Sequence, residues 1–376
     1  MSLLWPDMKS NRFIFVFAPF FTGVFLRFLV ASILLVGIIA SSSISHAKAP
    51  LDDTLTRKYD PLYIKKYRKY LALTPIMIYR DFTLGFEGGR GEKGSVEYSP
   101  NLLPQWGLGV DYNWLSFELT SSWGVNDEEP TKGKTSKLGI AGTLTLPKWN
   151  AQGNLQYFKG FYVSNLAELK TTYAAAAAEP IYPHREDMSL ITGRGSLYYM
   201  FNSKRYSHPS ALFVTTERQL KSAGSVLLGV TFTFFSISAD SSLIPPSISR
   251  YFDSSHFVKK SGYFMLLSNV GYSHTFVFQK TLFLNSGLHF GLGPVYSGIK
   301  SDEGGATNRR LDAGATVELR VGLGVNGDRL YGGVLTSVVS TASTAGEESI
   351  INNSSYLLRL FVGYRFPIKF VIPILG

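Results

Sequence analysis

The sequence predicts an all-β fold: a transmembrane antiparallel β-barrel of about twelve strands (range about 10–14), preceded by a cleaved N-terminal signal segment. Three observations predict it. From Thr74 onward, segments recur in which apolar and polar residues alternate with the period of a half-buried strand. Beyond residue 40, no stretch is apolar for long enough to cross a bilayer as a helix, so membrane residence falls to strands. The stretches between segments are short at one rim and long at the other, which is how an outer-membrane barrel distributes its turns and loops.

Lys9 and Arg12 precede an apolar stretch over 13–40 that Arg27 interrupts. Ser45-His46-Ala47 supplies the small residues a signal peptidase reads, which predicts removal of residues 1–47. The stretch is also long enough to span a bilayer, so an uncleaved anchor is the alternative. Residues 48–73 read as a basic periplasmic lead-in. Arg57, Lys58, Lys65, Lys66, Arg68 and Lys69 are interleaved with Tyr59, Leu62, Tyr63, Ile64, Tyr67 and Tyr70. Pro61 breaks the run, and the rest fits a short amphipathic helix; the segment touches the headgroups or the barrel mouth, or is a solvated linker.

The barrel is expected over 74–376. In its first strand Ile76, Ile78, Phe82, Leu84 and Phe86 share one face, with Arg80 the exception. Trp106, Leu108, Val110, Tyr112 and Trp114 then oppose Gly107, Gly109, Asp111 and Asn113. Phe117, Leu119 and Trp123 oppose Ser116, Glu118 and Thr120. Leu138, Ile140, Leu144 and Leu146 follow. Next come Leu155, Tyr157, Phe161 and Val163, with a flaw at Lys159. Ile191, Leu197, Tyr199 and Phe201 alternate with Thr192, Arg194 and Ser196.

The later segments are more regular. They run through Val226–Phe234, Phe264–Phe278, Leu282–Leu292 and Leu311–Val325. Asn326-Gly327 is a type I′ hairpin signal. The strand marked by Val334 and Val338 has faces that do not separate. In the last strand Leu358, Leu360, Val362, Tyr364, Phe366, Ile368 and Phe370 alternate with a face that holds Arg359, Gly363, Arg365 and Lys369. Gly363 to Ile368, a Gly-x-x-aromatic-x-apolar run, also resembles the C-terminal signal through which the barrel-assembly machinery accepts its clients, which makes that machinery an expected partner.

Short turns are expected near Trp114, Pro147–Asn150, Gln279-Lys280 and Asn326-Gly327. The longer connections fall over 124–136, 164–188, 240–261, 300–309 and 341–353. With both termini at the short-turn rim the strand number must be even. Counting Pro209–Val214 as a strand makes it odd and moves long loops to the wrong rim. Residues 202–224 are therefore expected not to span, and to lie in the lumen or at the periplasmic mouth.

The face assignment is energetic. An Arg or Lys turned to lipid at mid-bilayer costs about 2–4 kcal/mol, and a one-residue slip would turn Glu318, Arg320, Arg359 and Arg365 outward together. The lumen is thus expected to hold Asp111, Glu118, Arg194, His289, Glu318, Arg320, Arg359 and Arg365. Two readings of this set stay open. It lines a narrow polar passage or site that prefers anions, or its opposite charges pair and fill the lumen.

Composition narrows the partners. Gly (36), Tyr (21) and Phe (27) are abundant and only 17% of residues are charged, which suits a membrane barrel. A formal net charge of +10 without a basic helix points to outer-membrane lipid or a small anionic solute, with no nucleic acid. With no cysteine, disulfides and thiolate metal sites are ruled out. No cofactor is implied. Gly89-Arg90-Gly91-Glu92-Lys93-Gly94 has a dinucleotide-loop pattern but is followed by a strand, which leaves it a glycine-rich hairpin. Among the histidines only His289 points inward among Asn285 and glycines, which makes it the one candidate for catalysis; a hydrogen-bonded lumen histidine is the simpler reading.

Tyr98-Ser99-Pro100-Asn101 with Gly107–Leu115 resembles the opening of a bacterial group, domain-of-unknown-function family 4421. Tyr198–Asn202 and a central signature over Glu217, Arg218, Gln219, Leu220, Lys221, Ser222, Ala223, Gly224 and Ser225 resemble its middle. The resemblance implies an outer-membrane-like barrel and assigns no catalytic residue. The function expected is a structural, passive-transport or binding component of the outer membrane; a lipid-modifying enzyme is the alternative.

Overall fold

The computed structural model describes residues 59–87, 95–101, 104–122, 130–172, 183–212, 214–246, 249, 257–301, 308–343 and 354–368. The signal segment, residues 48–58 of the lead-in, the glycine pattern at 89–94 and the C-terminal Lys369 and Phe370 lie outside them. Twelve strands close an antiparallel ring: β2 (Tyr70–Phe82), β5 (Gln105–Tyr112), β6 (Leu115–Ser121), β7 (Ser136–Thr145), β8 (Trp149–Val163), β9 (His184–Met200), β11 (Ala223–Ser238), β12 (Val258–Phe278), β13 (Leu282–Ser301), β14 (Asn308–Asn326), β15 (Leu330–Ser343) and β16 (Ser354–Pro367). β16 returns to pair with β2, with Arg359 opposite Ile78, which seals the ring. β9 pairs directly with β11, so the chain between them crosses no wall.

Alternation decides which face is which. Leu228 and Val270 are each 51% exposed, Val362 is 54% and Leu292 is 68%, so the outer wall is a continuous apolar surface. A soluble monomer does not expose so much hydrocarbon, whereas a lipid-facing wall requires it. The inner face carries small polar groups that satisfy one another. The Asn269 amide donates to Thr231 Oγ1 at 2.8 Å, and Thr231 lies 2.7 Å from the Ser196 hydroxyl.

Three local readings of the sequence change. In β2 it is the even residues that face inward: Ile76, Ile78, Phe82 and Leu84 are all buried, with Arg80 beside them on the same face. Both faces of β2 are apolar, so hydrophobicity alone could not set its parity. In β8 the register shifts between Lys159 and Phe161, where Gly160 takes a φ of +92°. This bulge leaves Lys159 outside and turns Phe161 and Val163 inward. The pair of left-handed residues sits at Gln279 (φ 49°) and Lys280 (φ 62°). Asn326 instead remains in the ladder opposite Tyr331, and the bend falls at 327–329.

At both ends of the ring, described segments of the chain fold back over the lumen. At the long-loop end β3 (Leu84–Glu87) and β4 (Ser95–Ser99) leave β2 as a hairpin that joins the top of β8. This hairpin reaches over the low side of the wall, since β5, β6 and β7 have only 8, 7 and 10 residues. Leu84, Val96, Tyr98, Phe158, Leu190 and Ile237 form part of a buried apolar cluster there, joined by the short helix Leu166–Thr172. The Tyr98 hydroxyl donates to the Leu243 carbonyl at 2.8 Å, which ties this roof to the β11–β12 loop.

At the short-turn end, residues 202–222 fold inward as a floor. β10 (Glu217–Gln219) pairs with β1 (Ile64–Lys66), so from residue 59 the lead-in is neither helix nor free linker but lies at the barrel mouth. Ile64 (2% exposed) and Tyr67 (3%) explain why: their apolar bodies are buried, while Lys65 pairs with Asp328 and Lys66 with Glu217.

Candidate binding chamber

Between roof and floor the lumen encloses a chamber of about 270 Å³. Leu212 and Val214 contribute from the floor and Phe82, Phe158, Leu190 and Phe235 from the roof. Its charged lining is four arginines, Arg80, Arg194, Arg320 and Arg359, against two glutamates, Glu118 and Glu318. Glu318 stands between two cations: Arg194 Nη2 donates to its Oε2 at 2.8 Å and Arg320 to its Oε1. Arg359 Nη2 donates to Glu118 Oε1 at 2.7 Å, across β2 and β5. Both carboxylates are thus committed, and the remaining imbalance is +2 by this count.

Arg80 is different. It makes no hydrogen bond or ion pair with any described residue, and its Nε is buried without an acceptor. Arg359 Nε is likewise buried and unpartnered. Sequence reasoning passed over Arg80 as a flaw in an apolar face. The signal was present, because a cation costs far more toward mid-bilayer lipid than toward a polar lumen, and it alone should have set the parity of β2.

Two of the sequence-predicted residues do not line the chamber but hold its floor. Asp111 accepts from the Thr215 backbone N–H at 3.1 Å, from its hydroxyl, and from Ser116. Arg365 is fully buried (0% exposed) between the rings of Tyr67 and Tyr331, 4.0 and 4.5 Å from their centroids. It donates to the carbonyls of Thr215 (2.9 Å) and Gly327 (2.7 Å) and to Asn326 Oδ1 (2.7 Å). Such a guanidinium, stacked on two faces with three acceptors, acts as a pin.

The central signature works in the same region. Glu217 accepts from Ser207 Oγ at 2.7 Å, and Arg218 donates to the Lys280 carbonyl (2.6 Å) and to Asp328 (2.8 Å). The Gln219 amide donates to the carbonyls of Arg205 (2.6 Å) and Lys221 (2.9 Å) and accepts from Ser207 N–H (2.8 Å). Lys221 lies over the Tyr63 ring, and Ser222 Oγ accepts from Val277 N–H at 2.9 Å. A Cβ at Gly224 would meet the Tyr272 hydroxyl and the His274 ring, both side-chain ends.

His289 faces inward at 4% exposure, opposite Glu318 in the ladder and 5.4 Å from the Tyr198 ring. Its Nδ1 is buried without a partner, and no described serine or carboxylate is hydrogen-bonded to it. A nucleophile and base in contact, the arrangement that acyl-transfer chemistry needs, is not formed around it. His208 of the floor packs against the same Tyr198 ring; the sequence assigns it no face, because it sits in no periodic segment. Burial, with Arg320 and His289 adding to it, holds His208 well below the usual histidine range, so its ring is neutral.

Fold and site together define a closed antiparallel membrane barrel with a polar, arginine-rich chamber inside it. The chain belongs to the family described as Domain of unknown function (DUF4421), which matches residues 58–366. Among solved structures it is similar to the outer membrane protease OmpT from Escherichia coli, at 8% identity over 80% of this chain and 98% of that one, with a TM-score of 0.38. It is also similar to the translocator domain of autotransporter NalP from Neisseria meningitidis (10% identity, 79% and 88%, TM-score 0.34). A third is the outer membrane protein OprG from Pseudomonas aeruginosa (10% identity, 78% and 95%, TM-score 0.25). No curated protein matches it in sequence.

Proposed function

We propose that the protein resides in the bacterial outer membrane and serves there as a binding or structural component, not as an open pore. The observation that carries this reading is an apolar outer wall around a lumen into which the chain folds back at both ends, as an apolar roof over one side and a hydrogen-bonded floor. A second feature supports the membrane boundary. Lys159, Ser189, Ser238, Lys260 and Lys300 face outward in one register across five consecutive strands, just beyond the apolar wall. Lys260 and Lys300 are directly opposed, a repulsive pair that an anionic lipid headgroup relieves. The outward Val362, Tyr364 and Phe366 leave the C-terminal strand suited to the barrel-assembly machinery. The lipid-modifying alternative finds less support, since His289 lies inside the wall and away from lipid.

The test combines membrane fractionation with heat-modifiable gel mobility and planar-bilayer recording. The expected result is an outer-membrane fraction, a mobility shift on boiling, and no steady conductance. A stable open channel from the intact chain would remove the closed-lumen reading, and extraction without detergent would remove the membrane reading.

A further inference from the structure

Resting on that closed-lumen reading, we propose that the chamber is a binding site for a small oxyanion, a carboxylate or phosphate, held between Arg80 and Arg359. Arg80 lines the chamber with its Nε buried, and nothing among the described residues supplies its guanidinium a counter-charge or an acceptor. Its neighbour has the complementary defect. Arg359 opposes Ile78 and Arg80 opposes Leu357, so the two arginines are diagonal neighbours on one inner face, about 7–8 Å apart at the backbone. Arg359 is anchored through Nη2 by Glu118, which leaves its unpartnered Nε edge fixed in place. Two cations held side by side repel each other, and one anion between them removes the repulsion and fills both sets of donors. Guanidinium forks match carboxylate and phosphate oxygens in geometry as well as charge.

The surroundings limit the ligand. Glu118 and Glu318 are already bound to arginines, so neither supplies the missing counter-charge. Ser337, Thr341 and Asn154 add neutral donors, while Phe82 and Phe158 leave an apolar patch under the roof. A volume of about 270 Å³ lies just below the range of drug-sized pockets, which suits a small organic acid or a phosphate better than a lipid or an oligosaccharide.

The experiment uses the full chain folded in detergent micelles, titrated with inorganic phosphate or with succinate at constant ionic strength. Each anion is added both during refolding and afterwards, and thermal unfolding is followed. The expected result is a saturable rise in the midpoint with at least one anion; the one that acts identifies phosphoryl or carboxylate as the chemistry. Arg80→Gln should weaken the apparent affinity at least tenfold, while the outer-surface variant Lys260→Gln leaves it unchanged. Should Arg80→Gln not fold, Arg80→Lys keeps the charge without the fork and is expected to bind more weakly with normal heat-modifiable mobility. No saturable shift with either anion, or an undiminished one in the Arg80 variant, overturns the site. Either result leaves fractionation and gel mobility untouched, so it is distinguishable from failure of the membrane reading.

Discussion

Arg80 concentrates the energetic cost of this lumen in one side chain. Removing an unpaired buried cation normally relieves a penalty, so Arg80→Gln is expected to make the anion-free protein more stable, by about 1–3 kcal/mol in urea unfolding. A loss of stability would mean that the cation has a partner in the empty barrel. His208 poses a different question at the same scale. Its folded value is depressed and its unfolded value is about 6.5, so below that pH the unfolded chain binds the extra proton. The stabilisation is complete above about pH 6.5 and declines as pH falls toward the depressed value. Hydrogen-exchange protection over 202–222, referred to the intrinsic exchange rate at each pH, should therefore fall between pH 7 and 5, and His208→Gln should flatten that dependence.

Among the elements, the floor is the one whose removal has the clearest consequence. It is held by charged and amide groups that are almost fully buried, with Glu217 at 6%, Arg218 at 7% and Gln219 at 3% exposure. Replacing Gln219 by Leu strands the Ser207 N–H and the carbonyls it serves, and should cost about 1–3 kcal/mol. Excising residues 204–220 should open the short-turn end, read as an increase in access of small thiol reagents to a cysteine placed at Ser196. At the rim Asp328 is held below the usual carboxylate range, first by Lys65 and also by Tyr67 and Arg218. Its contribution is present above about pH 4 and is lost as pH falls through the depressed value. Acid thus loosens the floor through two groups of opposite charge type.

For the molecule as a whole, the wall is tall on one side and low on the other. β12 and β13 have 21 and 20 residues, roughly twice the 9–11 that cross a bilayer, while β6 has 7. The long strands carry the outward lysines beyond the apolar zone, and the hairpin of β3 and β4 compensates for the short ones. Depth should therefore govern tolerance on the outer face. Val230→Arg, among exposed apolar neighbours, is expected to cost about 2–4 kcal/mol in refolding equilibria, and Ser238→Arg, in the cationic row, about 0–1 kcal/mol. Equal costs at the two positions would place the bilayer elsewhere.

The all-β fold, a ring of about twelve antiparallel strands and the alternation that separates its two walls follow from the sequence by itself. Lipid tests every outward residue separately, and that test leaves its mark locally, in alternation. Where both faces are apolar the mark disappears, as in β2, and where a bulge intervenes it inverts, as at Gly160. What only the tertiary structure decided is that the chain folds back into both ends of the lumen and that Arg80 faces it. Those facts rest on contacts between residues far apart in the chain, such as Asp111 and Arg365 meeting Thr215 across separations of 104 and 150 residues. No periodicity records a contact of that kind, because its energy depends on where the ring brings the groups together and not on their neighbours in sequence.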